Sequence, residues 1–173
     1  SGSVSAASRP WAALWRTAGG LCLVLWPVLL FAGPIAAADE VRFERSDLVV
    51  ATAGTDHRFR VELALTPEQR TQGLQHRPFL AENAGMLFVF DQAGPIGMWM
   101  LNTLIPLDMI FIAADGRIAN IAERTKPKSL ETIGSAGPAV GVLEVLGGTA
   151  ARLGIRPGDR VVHPLLERAG DGR

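Results

Sequence analysis

Four kinds of side chain in this 173-residue chain could do chemistry: an indole beside short polar groups, carboxylates inside apolar runs, three histidines, and scattered serines. The indole is Trp99, in the segment GMWMLNTLIPLD (Gly97–Asp108). On a strand, Trp99 would face opposite Met98 and Met100. Asn102 and Thr103 then offer an amide and a hydroxyl at the strand end, and Pro106 fixes the return. Stacking area next to oriented hydrogen-bonding groups suits a small ligand or a peptide. The plainer alternative buries Trp99 in the core and leaves Asn102-Thr103 to cap a loop.

The carboxylates Glu62, Asp108, Glu123 and Glu144 lie in or beside strand-like runs, where burial would raise a carboxyl pKa. Two of them about 5–10 Å apart across an open groove would suit hydrolysis of a glycosidic bond. Pairing with Arg60, Arg70 or Arg77 would make them structural instead, and that reading is preferred. His57, His76 and His163 show no i, i+2 or i, i+4 spacing, so no metal site and no cofactor is expected. Nucleophilic hydrolysis has no local signature. Gly-x-Ser-x-Gly is absent, Ser46, Ser129 and Ser135 sit in ordinary loop contexts, and a Ser–His pair could form only in space.

The elements that must position these groups begin after an export signal. Arg9 and Arg16 precede an uncharged run from Thr17 to Ala38, whose densest apolar part is Leu21–Ile35. Ala36 and Ala38 fit a signal-peptidase site, and Pro34 keeps it extended. Residues 1–38 are therefore expected to be a signal peptide, with an uncleaved membrane anchor as the rival. Cys22 follows Leu21, where a lipoprotein signal would carry a small residue. The whole chain balances 17 Lys+Arg against 17 Asp+Glu. Loss of Arg9 and Arg16 leaves 15 against those 17, so the mature part is slightly acidic and is not expected to bind nucleic acid. The single cysteine goes with the signal, so the mature domain must fold on its apolar core alone.

Residues 39–47 read as a linker, 48–166 as one β-rich domain and 167–173 as a flexible tail. Arg58–Leu65 alternates with period two, as a half-wet antiparallel strand does. Thr66-Pro67-Glu68-Gln69 opens a helix with a capping box, and Gly73 ends it. Met86–Phe90, Gly97–Leu101, Asp108–Ala113, Arg117–Ala122, Val140–Leu146 and Arg160–His163 read as strands. Asp108–Ala113, apolar on both faces, is predicted to be central; Thr149–Leu153 is a second helical turn. About seven short strands at hairpin spacing with two short helices predict a mainly β fold, a compact antiparallel sandwich or barrel.

Gly147–Val162 has a local likeness to the end of a PDZ domain. The Gly-rich carboxylate-binding loop and long second helix of that fold are missing. Turn chemistry explains the likeness: Gly154 as C-cap, Pro157-Gly158 as a turn, Asp159 bonding nearby backbone N–H groups.

The ordered segments ELALTPEQRTQGLQHR (Glu62–Arg77), GMLFVF (Gly85–Phe90), MWMLNTLIPLDMIFI (Met98–Ile112), VLEVLGG (Val142–Gly148) and LGIRPGDRV (Leu153–Val161) together resemble the domain of unknown function 192 family. The resemblance runs over roughly Leu48 to Leu165. It implies a compact, mainly β fold, often placed after a signal or single anchor, and no established activity. Gln75 stands where the family usually has Met, and Leu101 where it usually has Lys. The residues that match include Arg77, Trp99, Met100, Asn102 and Thr103, taken as the candidate ligand-binding set. Asp108, Glu123 and Glu144 remain secondary acidic candidates.

The expectation is an exported module, periplasmic or anchored in the inner membrane, and more a binding or accessory protein than an enzyme. Its cleft would lie near Trp99, Asn102 and Thr103, its partner being a small ligand or an envelope protein, with membrane contact only if the N-terminal segment stays uncleaved. A carboxylate-based hydrolase or carbohydrate-active enzyme, and an envelope-assembly factor acting through a protein interface, are the alternatives.

Overall fold

The computed structural model describes residues 41–170. The expected signal or anchor at 1–38, Cys22 within it, and the tail residues 171–173 lie outside them. Strand β1 (Glu44–Ala51) takes up the second half of the expected linker and pairs antiparallel with β2 (Asp56–Ala64). The alternation read in β2 is present: Phe59, Val61 and Leu63 are buried while Arg58 and Arg60 face water.

Helix α1 (Pro67–Gln72) starts under the expected capping box. Thr66 Oγ1 accepts from the Gln69 N–H at 3.2 Å, and Gln69 Oε1 accepts from the Thr66 N–H at 3.0 Å. Gly73 closes the helix at φ 47° and ψ −138°, a conformation open to glycine. A Cβ at this position would lie 3.3 Å from the Phe88 ring. The helix works as a crossover, so β3 (Ala84–Gly94) runs parallel to β2, with Val61 opposite Gly85. This is the one parallel pairing in a sheet that is otherwise antiparallel as expected.

The segment expected as a five-residue strand at 97–101 forms only β4 (Gly97–Met98) before turning. Strand β5 (Leu107–Ile112) is buried along its whole length and is central, between β6 (Ile118–Ala122) and β8 (Ala139–Leu146). The short β7 (Ile133–Gly134) pairs with β4 in a separate two-stranded sheet. Helix α2 (Thr149–Leu153) and β9 (Arg160–Val162) follow. A third helix, α3 (Pro164–Gly170), occupies most of the expected tail and buries Leu166.

The main sheet runs β6-β5-β8-β3-β2-β1-β9. It comes close to sealing itself, because the Ile118 N–H donates to Asp159 O and the Val161 N–H to Gly116 O (2.8 and 2.9 Å). The fold is thus a nearly closed barrel. Its interior collects one face of every strand, including Val50, Val61, Leu87, Ile110, Leu143 and Val161. A second apolar cluster lies on the opposite face of β3, β5 and β8, built from Met86, Phe88, Met109, Phe111 and Val142. Leu74, Leu80, Ile96 and Met100, from the connections around α1 and β4, pack over it. The period of two along β3 sends Leu87 inward and Met86 and Phe88 outward.

Candidate functional site

The outer layer does not cover the barrel wall completely. A cleft of about 260 Å³ remains between α1 and its exit loop (Pro67, Arg70, Leu74, Gln75), the outer face of β3 (Phe88, Phe90) and the segment carrying Met98, Trp99, Leu101 and Thr103. Small-molecule pockets run from about 300 Å³ upward, so this one would take a small ligand or a single side chain. Trp99 stands at its mouth, 50% exposed.

One carboxyl, Glu144, is set into the lining of this cleft. Strand pairing puts Glu144 opposite Met86 on one side and Met109 on the other, so the residue belongs to the apolar outer cluster. It is 4% exposed and has neither an ion-pair partner nor a side-chain hydrogen bond among the described residues. Burial pushes its carboxyl from the ordinary 4.5 up to about 8. At neutral pH the group therefore holds its proton and presents a hydrogen-bond donor to the cleft.

The other charged group on the cleft wall is Arg70. Its guanidinium lies 5.1 Å from the centre of the Phe90 ring, and its Nη1 donates to Leu65 O and, at 3.0 Å, to Val89 O. These bonds pin the α1 wall to the end of β2 and to β3. The facing wall is held by its own turn. Asn102 adopts φ 54°, its Nδ2 donates to Gln75 Oε1 at 3.2 Å, and its carbonyl accepts from the His76 N–H at 2.9 Å.

The five candidate binding residues are thus distributed. Trp99 and Thr103 line the cleft, and Asn102 braces it from outside through Gln75. Met100 is fully buried beneath, its sulfur 3.1 Å from Thr125 Oγ1. Arg77 lies elsewhere, ion-paired with Glu62 and 5.8 Å from the centre of the Phe43 ring. Among the acidic candidates only Glu144 reaches the cleft. Asp108 is fully buried and accepts backbone N–H groups from Arg124, Gly148 and Ala150 at 2.7, 2.9 and 2.8 Å. Glu123 is exposed just past β6.

A Ser–His pair does form in space: Ser46 Oγ lies 3.0 Å from His163 Nε2. His163 Nδ1 accepts from the Leu165 N–H at 3.2 Å, which leaves the ring proton on Nε2. The imidazole therefore donates to the serine and is not positioned as its base. Its place is structural, at the start of α3.

Arg70, Phe88, Phe90 and Leu74 line the cleft without belonging to the expected binding set; Arg70 is expected from the sequence only as a carboxylate partner. For Phe88 and Phe90 the available signal was their spacing, which puts both rings on one face of β3. Gln75 and Leu101, the two departures from the family pattern, both line the cleft.

The family model described as an uncharacterised ACR, DUF192, matches residues 48–163. The chain belongs to the DUF192 family. No curated protein matches it. Among solved structures, a Sinorhizobium meliloti protein described as a candidate transcription regulator is 47% identical, with a TM-score of 0.69. That match covers 71% of this chain and 96% of the other. A protein of unknown function from Novosphingobium aromaticivorans is 40% identical with the same TM-score of 0.69, over 74% of this chain and 94% of that one. The DUF192 match takes in every cleft residue, from Pro67 to Glu144.

Proposed function

We propose that this DUF192 protein is a binding module that holds a small ligand in the cleft between α1 and the Trp99 segment. One observation carries the reading: Glu144 is 4% exposed, has no ion-pair or hydrogen-bond partner among the described residues, and lines the same cleft as a half-exposed tryptophan. A buried polar group without a partner costs stability, and ligand sites are where such groups are retained. Trp99 and Phe90 supply stacking area, and Thr103 supplies a hydroxyl. A two-carboxylate hydrolase is less well supported, because Asp108 is tied to backbone amides and Glu123 lies off the cleft.

The regulator description of the Sinorhizobium protein draws little support from the β1–β2 surface here. There Arg45 and Arg77 share Glu62, and Arg60 pairs with Asp47. Export remains part of the proposal, resting on the uncharged run that ends in Ala36-Ala37-Ala38. N-terminal sequencing of protein recovered from an osmotic-shock fraction should begin at Asp39.

The binding test is a thermal-shift fragment screen on the full chain, repeated on Trp99→Ala and Glu144→Gln. Hits are expected to stabilise the parent chain and to lose that effect in both variants. Hits that stabilise both variants as well as the parent would place binding elsewhere and overturn the proposal.

A further inference from the structure

The physical question is what Glu144 supplies that an amide could not. Thr103 already gives the cleft a neutral hydrogen-bonding group. A glutamine at position 144 would add another at similar volume, without the cost of a carboxyl in an apolar layer between Met86 and Met109. The property particular to a carboxyl is that it can become an anion. In low dielectric an anion is stable only next to a cation, and none of the described protein cations fills that place. Arg70, the one basic residue on the cleft wall, spends Nη1 on two backbone carbonyls and rests over Phe90. Asp108, one position along β5 from the residue facing Glu144, points to the opposite side and is held by amides. Glu68 on α1 lies outside this cleft, and His76 on the loop after it is exposed.

We infer that the cleft takes a ligand bearing an ammonium group, seated against Glu144 with its apolar part under Trp99. This deepens the binding reading given above and rests on it. A cation entering between a buried carboxylate and aromatic faces gains both charge pairing and attraction to the rings. The energetics carry a signature. Glu144 is mostly protonated at neutral pH, so an ammonium ligand must displace that proton, whereas a neutral acceptor or an anion would keep it in place. The proton leaves for the buffer as the ion pair forms.

The probes are benzyltrimethylammonium, whose charge does not titrate, N-methyl-2-phenylacetamide as a neutral acceptor of similar size, and phenylacetate as an anion. Titration calorimetry on the full chain is run from pH 6 to pH 9. The ammonium probe is expected to bind best. Its affinity should rise about fiftyfold between pH 6 and pH 8, flatten above that, and be accompanied by proton release below pH 8. Glu144→Gln, which keeps the volume and hydrogen-bonding reach, should lose both the affinity and the slope.

If the amide or phenylacetate binds more tightly, or if the ammonium probe binds with no pH dependence, the ammonium class is overturned while the cleft reading stands. If no probe binds, the ammonium class is again overturned. The cleft reading is then judged separately, on whether fragment hits depend on Trp99 and Glu144.

Discussion

The side-chain amide of Asn102 donates to the side-chain carbonyl of Gln75 at 3.2 Å, joining the two walls of the cleft across 27 residues of sequence. Asn102 sits at φ 54°, so its backbone and its side chain both contribute to that tie. Asparagine tolerates the left-handed region better than most residues, and alanine does not. Asn102→Ala should destabilise by about 1–2 kcal/mol. Asn102→Gly should cost less, about 0.5–1 kcal/mol, because it gives up the side-chain tie but keeps the backbone conformation. Urea denaturation of the two variants separates the contributions.

Glu144 is expected to make the fold lose stability as pH rises from 4.5 to 8. Its folded-state pKa of about 8 lies above the ordinary 4.5. Below pH 4.5 both states are protonated and nothing is lost. As pH rises from 4.5 to 8 the unfolded chain ionises while the folded chain holds its proton, so stability falls. Glu144→Gln should remove this slope, raising stability at pH 7 by roughly 3 kcal/mol and changing it little at pH 4. Denaturation midpoints at the two pH values measure the difference.

His163 acts in the opposite direction. Burial lowers its pKa below the ordinary 6.5, so its stabilising contribution is complete above that value and fades as pH falls. Protonation also removes Nδ1 as acceptor for the Leu165 N–H at the start of α3. His163→Asn, which keeps a capping acceptor but does not titrate, should flatten the stability profile between pH 7 and pH 5. Thermal melts across that range are the measurement.

Asp108 joins the end of β6 to the start of α2, through three backbone N–H groups. Asp108→Asn leaves one amide oxygen for those donors and turns an NH₂ group toward them. A cost of about 3 kcal/mol is expected, read from the denaturation midpoint, with the loss of Ala150 amide protection as the local sign.

Leu101→Lys would bring a tethered ammonium to the cleft that contains Glu144. The expected result is a smaller loss of stability between pH 5 and pH 8 than in the parent, together with weaker binding of the benzyltrimethylammonium probe. Paired denaturation and calorimetry check it.

What could be read from the sequence follows the range of the interactions involved. The period of β2, the capping box of α1 and the doubly buried run of β5 are written in adjacent residues, and all three are present. The α3 helix was missed because PLLERAG buries a single leucine and takes its acceptor at the N-terminus from a histidine. The parallel β2–β3 pairing was missed because strand direction leaves no mark on local alternation. The same limit applies to the site. Trp99, Asn102 and Thr103 are neighbours in the chain and could be considered together. Glu144 comes to the same cleft only through the register of β8 against β3 and β5. Arg77 is drawn off by Glu62, an ion pair between residues 15 apart.

The seam between β6 and β9 bears on how the domain fluctuates. Around the barrel, that seam lies across from the β3–β8 pairing that underlies the cleft. It is held by a few backbone bonds near Gly116, Ile118 and Val161, whereas β3 and β8 share a long register. Local opening starts where pairing is shortest. The barrel can therefore breathe at the seam while the cleft on its far side keeps its shape. On the proposed reading, a ligand would reach Glu144 from the outer surface past Trp99, and its arrival and departure would need no opening of the barrel interior.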